Sequence, residues 1–256
     1  MAENQYGFPT EVLSLPSKGL LYPEDSPLRS GTIDVKYMTA KEEDILTSTN
    51  LIEKGVVIDR LLQSVIADPK VKLDDMLIGD KNALMVGTRV LGYGKNYDVS
   101  LLDPVTNEEV ETSVDLAELE HKKIDFSLFE NGNSFEYELP NSKRKVGFKL
   151  LTHKDEKEVL EILDTLKKAE QLTGVSTQIT TRLKYQIQSI DGETEQKTID
   201  NFVDNEFLAL DAREFRKYVS DITPDMDLRF DYTSGDGSII KVDVPLGLDF
   251  FWPAAI

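Results

Sequence analysis

Few residues in this chain are able to do acid–base or metal chemistry, and their spacing argues against it. Only two histidines occur, His121 and His153. A zinc site needs ligands at short fixed spacings, and a general base needs a partner within hydrogen-bond reach. His121 lies in the charged stretch Glu120-His121-Lys122-Lys123, and His153 follows Thr152, a helix-capping threonine, where a solvated helix-end role is expected. Cysteine is absent, which excludes disulfides, thiolate metal sites and cysteine nucleophiles. Gly92-Tyr93-Gly94-Lys95 is too short for a phosphate loop and stands between a helix and a strand, so its glycines read as helix-stop and turn residues. Asp225, Asp227 and Asp231 fail as a calcium loop because Leu228 and Arg229 interrupt the ligand positions and no closing glutamate follows. No Gly-x-Ser-x-Gly elbow or metalloprotease helix motif is present. The expectation is a non-enzyme: no catalytic residue, no metal, no cofactor and no small-molecule substrate.

Other residues suit contact chemistry better. The first 27 residues carry Pro9, Pro16, Pro23 and Pro27, which disfavour helix, and scatter Leu13, Leu15, Leu20, Leu21 and Tyr22 between them. Such an arm straps over its own domain or reaches onto a neighbour. At the other end Phe250-Phe251-Trp252-Pro253 holds the only tryptophan. These aromatics either close the core of the second half or anchor in a partner's pocket, since aromatic residues dominate interface hot spots. Arg213, Arg216 and Lys217 form the densest basic cluster on a helix, either a solvated face or a dock for an acidic partner. Acidic pairs such as Glu42-Glu43 and Asp155-Glu156 open helices, where they oppose the positive helix end.

The charge balance narrows the partners. Against 29 Lys and Arg stand 47 Asp and Glu, a net charge of −18. That charge opposes nucleic acid, whose binding is driven by cationic contacts and counterion release, and suits a basic protein partner. No apolar run approaches a bilayer span, and the polar first nine residues lack the basic and apolar regions of a signal peptide. A soluble chain with no membrane contact is expected.

The elements that must carry these residues follow from periodicity. Residues 32–38 alternate as a half-buried strand, and Thr39 with Glu42 makes a capping box for a short helix ending near 48–50. Residues 56–66 have an apolar helical face stopped by Asp68-Pro69; Asp80 caps a helix stopped by Gly92 and Gly94. Residues 97–102 and 110–116 flank a hairpin turn, and an irregular link follows. Residues 135–139 and 146–151 read as an antiparallel pair. The strongest helix spans 154–172, with Val159, Leu160, Ile162, Leu163 and Leu166 on one face. Helices over 179–190, 198–208 and 211–222 come next, and a second hairpin joins 228–232 to 239–244.

The order of these elements repeats. Leu15-Pro16-Ser17-Lys18, a strand and Thr39-Ala40-Lys41-Glu42-Glu43 return as Leu139-Pro140-Asn141-Ser142-Lys143, a strand and Thr152-His153-Lys154-Asp155-Glu156. The hairpins echo as well: Tyr97-Asp98 against Met226-Asp227, and Val114-Asp115-Leu116 against Val242-Asp243-Val244. Repeats of this kind decide the fold class. The expectation is an α+β protein of two similar lobes from an internal duplication, each a small antiparallel sheet or hairpin packed with three or more helices. The lobes are residues 1–125, with the extended arm, and 126–256, with the aromatic tail.

Four blocks carry a family resemblance: Leu15 to Tyr22, Met38 to Leu46, Gly79-Asp80-Lys81-Asn82-Ala83-Leu84, and Phe250-Phe251-Trp252-Pro253. Together they resemble a baseplate protein family of contractile-tailed, T-even-like bacteriophages, over nearly the full length. The resemblance implies a non-enzymatic structural or assembly role in the hub of the baseplate, through contacts with other tail and baseplate proteins. It places the protein in the virion tail and in the host cytoplasm during assembly. The alternative is an assembly chaperone for a tail protein such as the tape measure, absent from the mature particle. Some family members carry cysteine pairs in the two hairpins; residues 103–109 and 234–237 stand there in this chain and leave no basis for a zinc knuckle. The candidate partner-binding residues are Leu13, Leu15, Leu20, Leu21, Tyr22, Phe250, Phe251, Trp252 and Pro253.

Overall fold

A computed structural model describes residues 7–103 and 105–251. The first half begins with β1 (Thr10–Ser14), which pairs antiparallel with β2 (Thr32–Lys36), Leu13 facing Ile33. Thr39 then caps α1 (Ala40–Leu46) by the expected box, its hydroxyl donating to Glu42 Oε2 at 2.7 Å and its N–H to the same oxygen at 2.9 Å. Two further helices follow, α2 (Thr49–Glu53) and α3 (Val57–Val65), and after α3 the chain makes a bridge from Ile66 back to Val35 of β2. The helix α4 (Ile78–Tyr93) leads into a hairpin of β3 (Asn96–Leu102) and β4 (Glu109–Asp115).

The second half repeats much of this order. β5 (Phe135–Glu138) pairs with β6 (Lys145–Phe148), and α5 (His153–Thr173) and α6 (Gln178–Gln186) follow. β7 (Ile187–Ile190) returns to pair with β6, making a three-stranded antiparallel sheet. After α7 (Gln196–Asn201) a π-helical turn over Phe202–Glu206 leads to α8 (Ala209–Ile222), and β8 (Arg229–Thr233) and β9 (Ile239–Asp243) close as a hairpin. The fold is α+β with small antiparallel sheets.

Three expectations are corrected. The helix foreseen over 179–190 stops at Gln186, because Ile187, Ser189 and Ile190 find partners on β6. Gly92 lies inside α4; the stop is Gly94, whose φ of 84° suits glycine alone among ordinary residues. Asp80 does not cap α4, which starts at Ile78 after an extended Leu77; it is the third helical residue and points elsewhere.

The buried apolar residues form one cluster from Leu15 to Phe251. In the first half it is mainly aliphatic, with Leu61, Leu62, Met76 and Leu84 fully enclosed; in the second, phenylalanines join the aliphatic residues, with Phe148, Phe202 and Phe215 fully enclosed. Phe148 of β6 stacks on Phe135 at 5.3 Å and meets Phe215 of α8 edge-on at 5.1 Å. Such offset and edge-to-face pairs add about 1 kcal/mol each to the burial of their area. The halves touch closely at Gly79, where an added Cβ would lie 1.9 Å from the Pro224 carbonyl oxygen. Leu77 also bridges Thr152, and His121 bridges Met226.

Candidate functional site

The two Leu-Pro loops are built alike. Leu15 and Leu139 are buried, and each accepts at its carbonyl from the lysine that ends its loop, Lys18 N at 2.9 Å and Lys143 N at 3.1 Å. Both lysines adopt positive φ, 50° and 58°. Beneath each loop lies a fully buried aspartate, the third residue of a helix: Asp80 of α4 and Asp211 of α8. Asp80 accepts from Ser17 N at 2.9 Å, Ser17 Oγ at 2.6 Å and Tyr22 Oη at 2.6 Å. Asp211 accepts from Asn141 N at 2.8 Å, Asn141 Nδ2 at 2.7 Å and Ser142 N at 2.9 Å. A carboxylate is the only charged side chain that takes so many donors with no proton of its own to place.

Their electrostatics differ. Burial pushes the Asp80 carboxyl up, and the donors from Ser17 and Tyr22 only partly offset it. The same burial and the Asp80 charge hold the Tyr22 phenol well above its usual value. Burial also pushes Asp211 up, but the donors from Asn141 and Ser142 outweigh it and bring the group down to about 2.

The capping pairs match as well. Thr152 donates from Oγ1 and from N to Asp155 Oδ2, both at 2.9 Å, as Thr39 does to Glu42. His153 departs from its expected solvated role. It is 5% exposed, its Nε2 sits 2.8 Å from Asp59 Oδ2, and Lys81 Nζ reaches Asp59 Oδ1 at 2.8 Å. Burial raises the Asp59 carboxyl, and His153 and Lys81 together override it and bring it to about 2. This trio joins α3 and α4 of the first half to α5 of the second.

The hairpin tips also meet. Asp103, fully buried, accepts from Val105 N and Thr106 N of its own turn, and across the gap from Tyr232 Oη at 3.0 Å and Gly235 N at 2.9 Å. Ser234 Oγ lies 2.7 and 2.8 Å from its two oxygens. Burial raises this carboxyl, and the donors of Gly235, Ser234, Val105 and Thr106 take it well below the usual carboxylate range. The two hairpin tips are thus clasped by one carboxylate.

The candidate contact residues are largely internal. Leu15, Leu21 and Tyr22 are buried, and Leu13 and Leu20 are half-buried against the core. The arm therefore lies over its own domain. Phe250 and Phe251 are fully buried, and Phe250 meets the ring of Tyr97 of β3 edge-on at 5.0 Å, so they close the core on the first half rather than the second. Trp252 and Pro253 lie outside the described residues. The sequence reading missed the aspartates as loop anchors; the one available signal was an aspartate three residues into a helix in each half, Asp80 and Asp211.

Chemically, the most perturbed carboxylates are occupied as hydrogen-bond acceptors and ion-pair partners inside the fold. Among the described residues no group of three or more His, Asp or Glu is placed to hold a metal ion. No described helix is long and apolar enough to cross a membrane. No family model, curated protein or solved structure matches the chain.

Proposed function

We propose that this chain is a non-enzymatic structural or assembly component of the baseplate of a contractile-tailed phage, in its hub region, acting through contacts with other tail and baseplate proteins. The observation that carries the reading is the paired build of the two halves. Each holds a Leu-Pro loop over a buried helix aspartate and a threonine–carboxylate cap after its strand. We infer that one module was duplicated and that its descendants are the lobes 1–125 and 126–256. Two similar but unequal faces on one chain suit a place where rings of different symmetry meet, since heterologous contacts need not be equivalent. The resemblance of the Leu15–Tyr22, Met38–Leu46 and Gly79–Leu84 blocks to the baseplate family supports the same reading.

A second reading, an assembly chaperone for a tail protein such as the tape measure, has one observation in its favour. Leu160, Val175, Ile179, Leu208 and Leu210 are each at least 50% exposed, an apolar display in the second half that suits a helical client. Mass spectrometry of purified virions, set beside a pull-down from infected cells, separates the two. Stoichiometric peptides in the particle are expected for a structural component. Capture of tail proteins from the cell with no peptide in the particle identifies an assembly factor. Absence from both overturns the baseplate reading.

A further inference from the structure

Beside the basic cluster of α8 an apolar groove lies open. Leu151, Ile179, Leu183 and Val219 line it, Arg182 and Arg216 stand at its margin, and it encloses about 340 Å³ between α6 and α8. A second hollow of about 260 Å³ shares Leu151, Arg182 and Gln186 with it and extends it toward Pro224. Ile179 is 50% exposed there. In the first half the side chain at the like position packs onto a helix. Met38 precedes Thr39 as Leu151 precedes Thr152, and it packs on α4 so closely that a Cβ at Gly92 would lie 2.6 Å from its Sδ.

The charge around the groove runs against the rest of the chain. α6 carries Arg182 and Lys184 and no acidic residue. On α8, Arg213, Arg216 and Lys217 are exposed. Of its three acidic residues, Asp211 is buried under the Asn141 loop and Glu214 is half-buried, leaving Asp221 exposed. Arg182 is paired with Glu156 and Lys184 with Asp204, but no salt bridge among the described residues engages Arg213, Arg216 or Lys217. Among the described residues, a protein of net charge −18 thus keeps three cations without a carboxylate partner beside exposed apolar surface.

We propose that this groove receives an acidic amphipathic segment of a partner protein, its apolar side chains against Leu151, Ile179 and Val219 and its carboxylates against Arg213, Arg216 and Lys217. Apolar burial supplies the affinity, and the complementary charge selects and orients the segment. Nucleic acid is the poorer occupant, because the whole-molecule charge repels it. The inference deepens the docking role proposed above by naming the chemistry of one partner.

The test uses the full chain and a fluorescent synthetic peptide of about 15 residues, with leucines on one helical face and glutamates on its flanks. Control peptides replace every leucine by serine or every glutamate by lysine, and a single-stranded DNA oligonucleotide of similar length completes the set. Anisotropy titration is expected to show binding of the first peptide alone. Arg213→Glu with Arg216→Glu and Lys217→Glu is expected to weaken it at least about tenfold, as is Ile179→Asp, whereas Lys41→Glu on the exposed face of α1 leaves it unchanged. Absence of binding, equal binding of the serine peptide or the oligonucleotide, or binding unmoved by the α8 reversals overturns the proposal. The peptide comparisons on the unaltered protein decide the matter even if a variant misfolds. Failure here removes the groove as a dock and leaves the baseplate role to be judged by particle composition.

Discussion

Asp80 and Asp211 do one job in two environments. Each is the third residue of its helix and each holds the loop after a buried leucine-proline pair. Around Asp80 the donors are themselves enclosed: Ser17 is 0% exposed and Tyr22 6%. Around Asp211 the donors come from Asn141 and Ser142, whose residues face solvent. Burial therefore outweighs hydrogen bonding at the first site and raises its carboxyl. Hydrogen bonding outweighs burial at the second, which favours the carboxylate. A shared geometry thus leaves the two carboxyls shifted in opposite directions, because the residues around them differ.

Truncation breaks the comparison most severely. Asp80→Ala is expected to cost about 3–4 kcal/mol, because Ser17 N, Ser17 Oγ and Tyr22 Oη lose their acceptor where water has little access. Asp211→Ala is expected to cost less, about 2 kcal/mol, since solvent reaches the orphaned donors of the exposed loop. Urea unfolding of the two variants against the parent measures both, and equal costs would show that enclosure does not separate the sites.

Substitution by asparagine should reverse the order. Asparagine is a neutral isostere, so it gives up less at Asp80, whose carboxyl is raised, than at Asp211, whose carboxyl is lowered. Asp80→Asn is expected to cost about 1 kcal/mol and Asp211→Asn about 2 kcal/mol, the latter placing an amide donor against the N–H of Ser142. Crossed rankings between the alanine and asparagine pairs are the signature; parallel rankings would mean that burial alone governs both sites.

Acidification separates the sites by sign. Asp211 folds with its carboxyl brought from the ordinary 3.8 to about 2, so its contribution is present above pH 3.8 and is lost as pH falls through about 2; Asp59 acts in the same sense. Asp80 is raised, so its contribution is present below the ordinary value and is lost as pH rises through the raised one. Asp211→Asn should therefore flatten the loss of stability between about pH 4 and 2. Asp80→Asn should abolish a gain on mild acidification toward about pH 4 while leaving that steep limb in place. Chemical unfolding across this pH range reads both, and a common effect of the two variants would contradict the assigned directions.

What the sequence made legible were the interactions closed within a few residues. Thr39–Glu42 and Thr152–Asp155 span three positions, and the hairpin partners face each other across short turns. Most of the misreadings have distant causes. Ile187 and Ile190 continue the apolar spacing of α6, and only pairing with β6 makes them a strand. His153 is buried because Asp59, 94 residues away, is brought against it. Asp80 becomes a loop anchor through Ser17, 63 residues earlier. The terminal phenylalanines are open to two readings, closing the second half's core or anchoring in a partner, and nothing nearby in sequence shows that Tyr97 of the first half awaits them.

The caps offer the gentlest version of the comparison, because there the two halves agree. Thr39 and Thr152 each donate twice to the carboxylate three residues on, and each hydroxyl accepts an amide of the first turn at 3.3 Å, from Lys41 and Asp155. Loss of such a cap costs about 1 kcal/mol in a helix whose packing is otherwise kept. Thr39→Ala and Thr152→Ala should therefore each lower stability by about that amount, and the double variant by their sum, because the two caps share no partner in these bonds. A deeper loss at Thr152 alone would have a specific cause: Lys149 also bonds Asp155, at 2.7 Å, so a displaced Asp155 would release that lysine too. Combining Thr152→Ala with Lys149→Met isolates this effect. If the excess persists without the lysine, it arises elsewhere in the half that carries α5, and the caps are less alike than their hydrogen bonds.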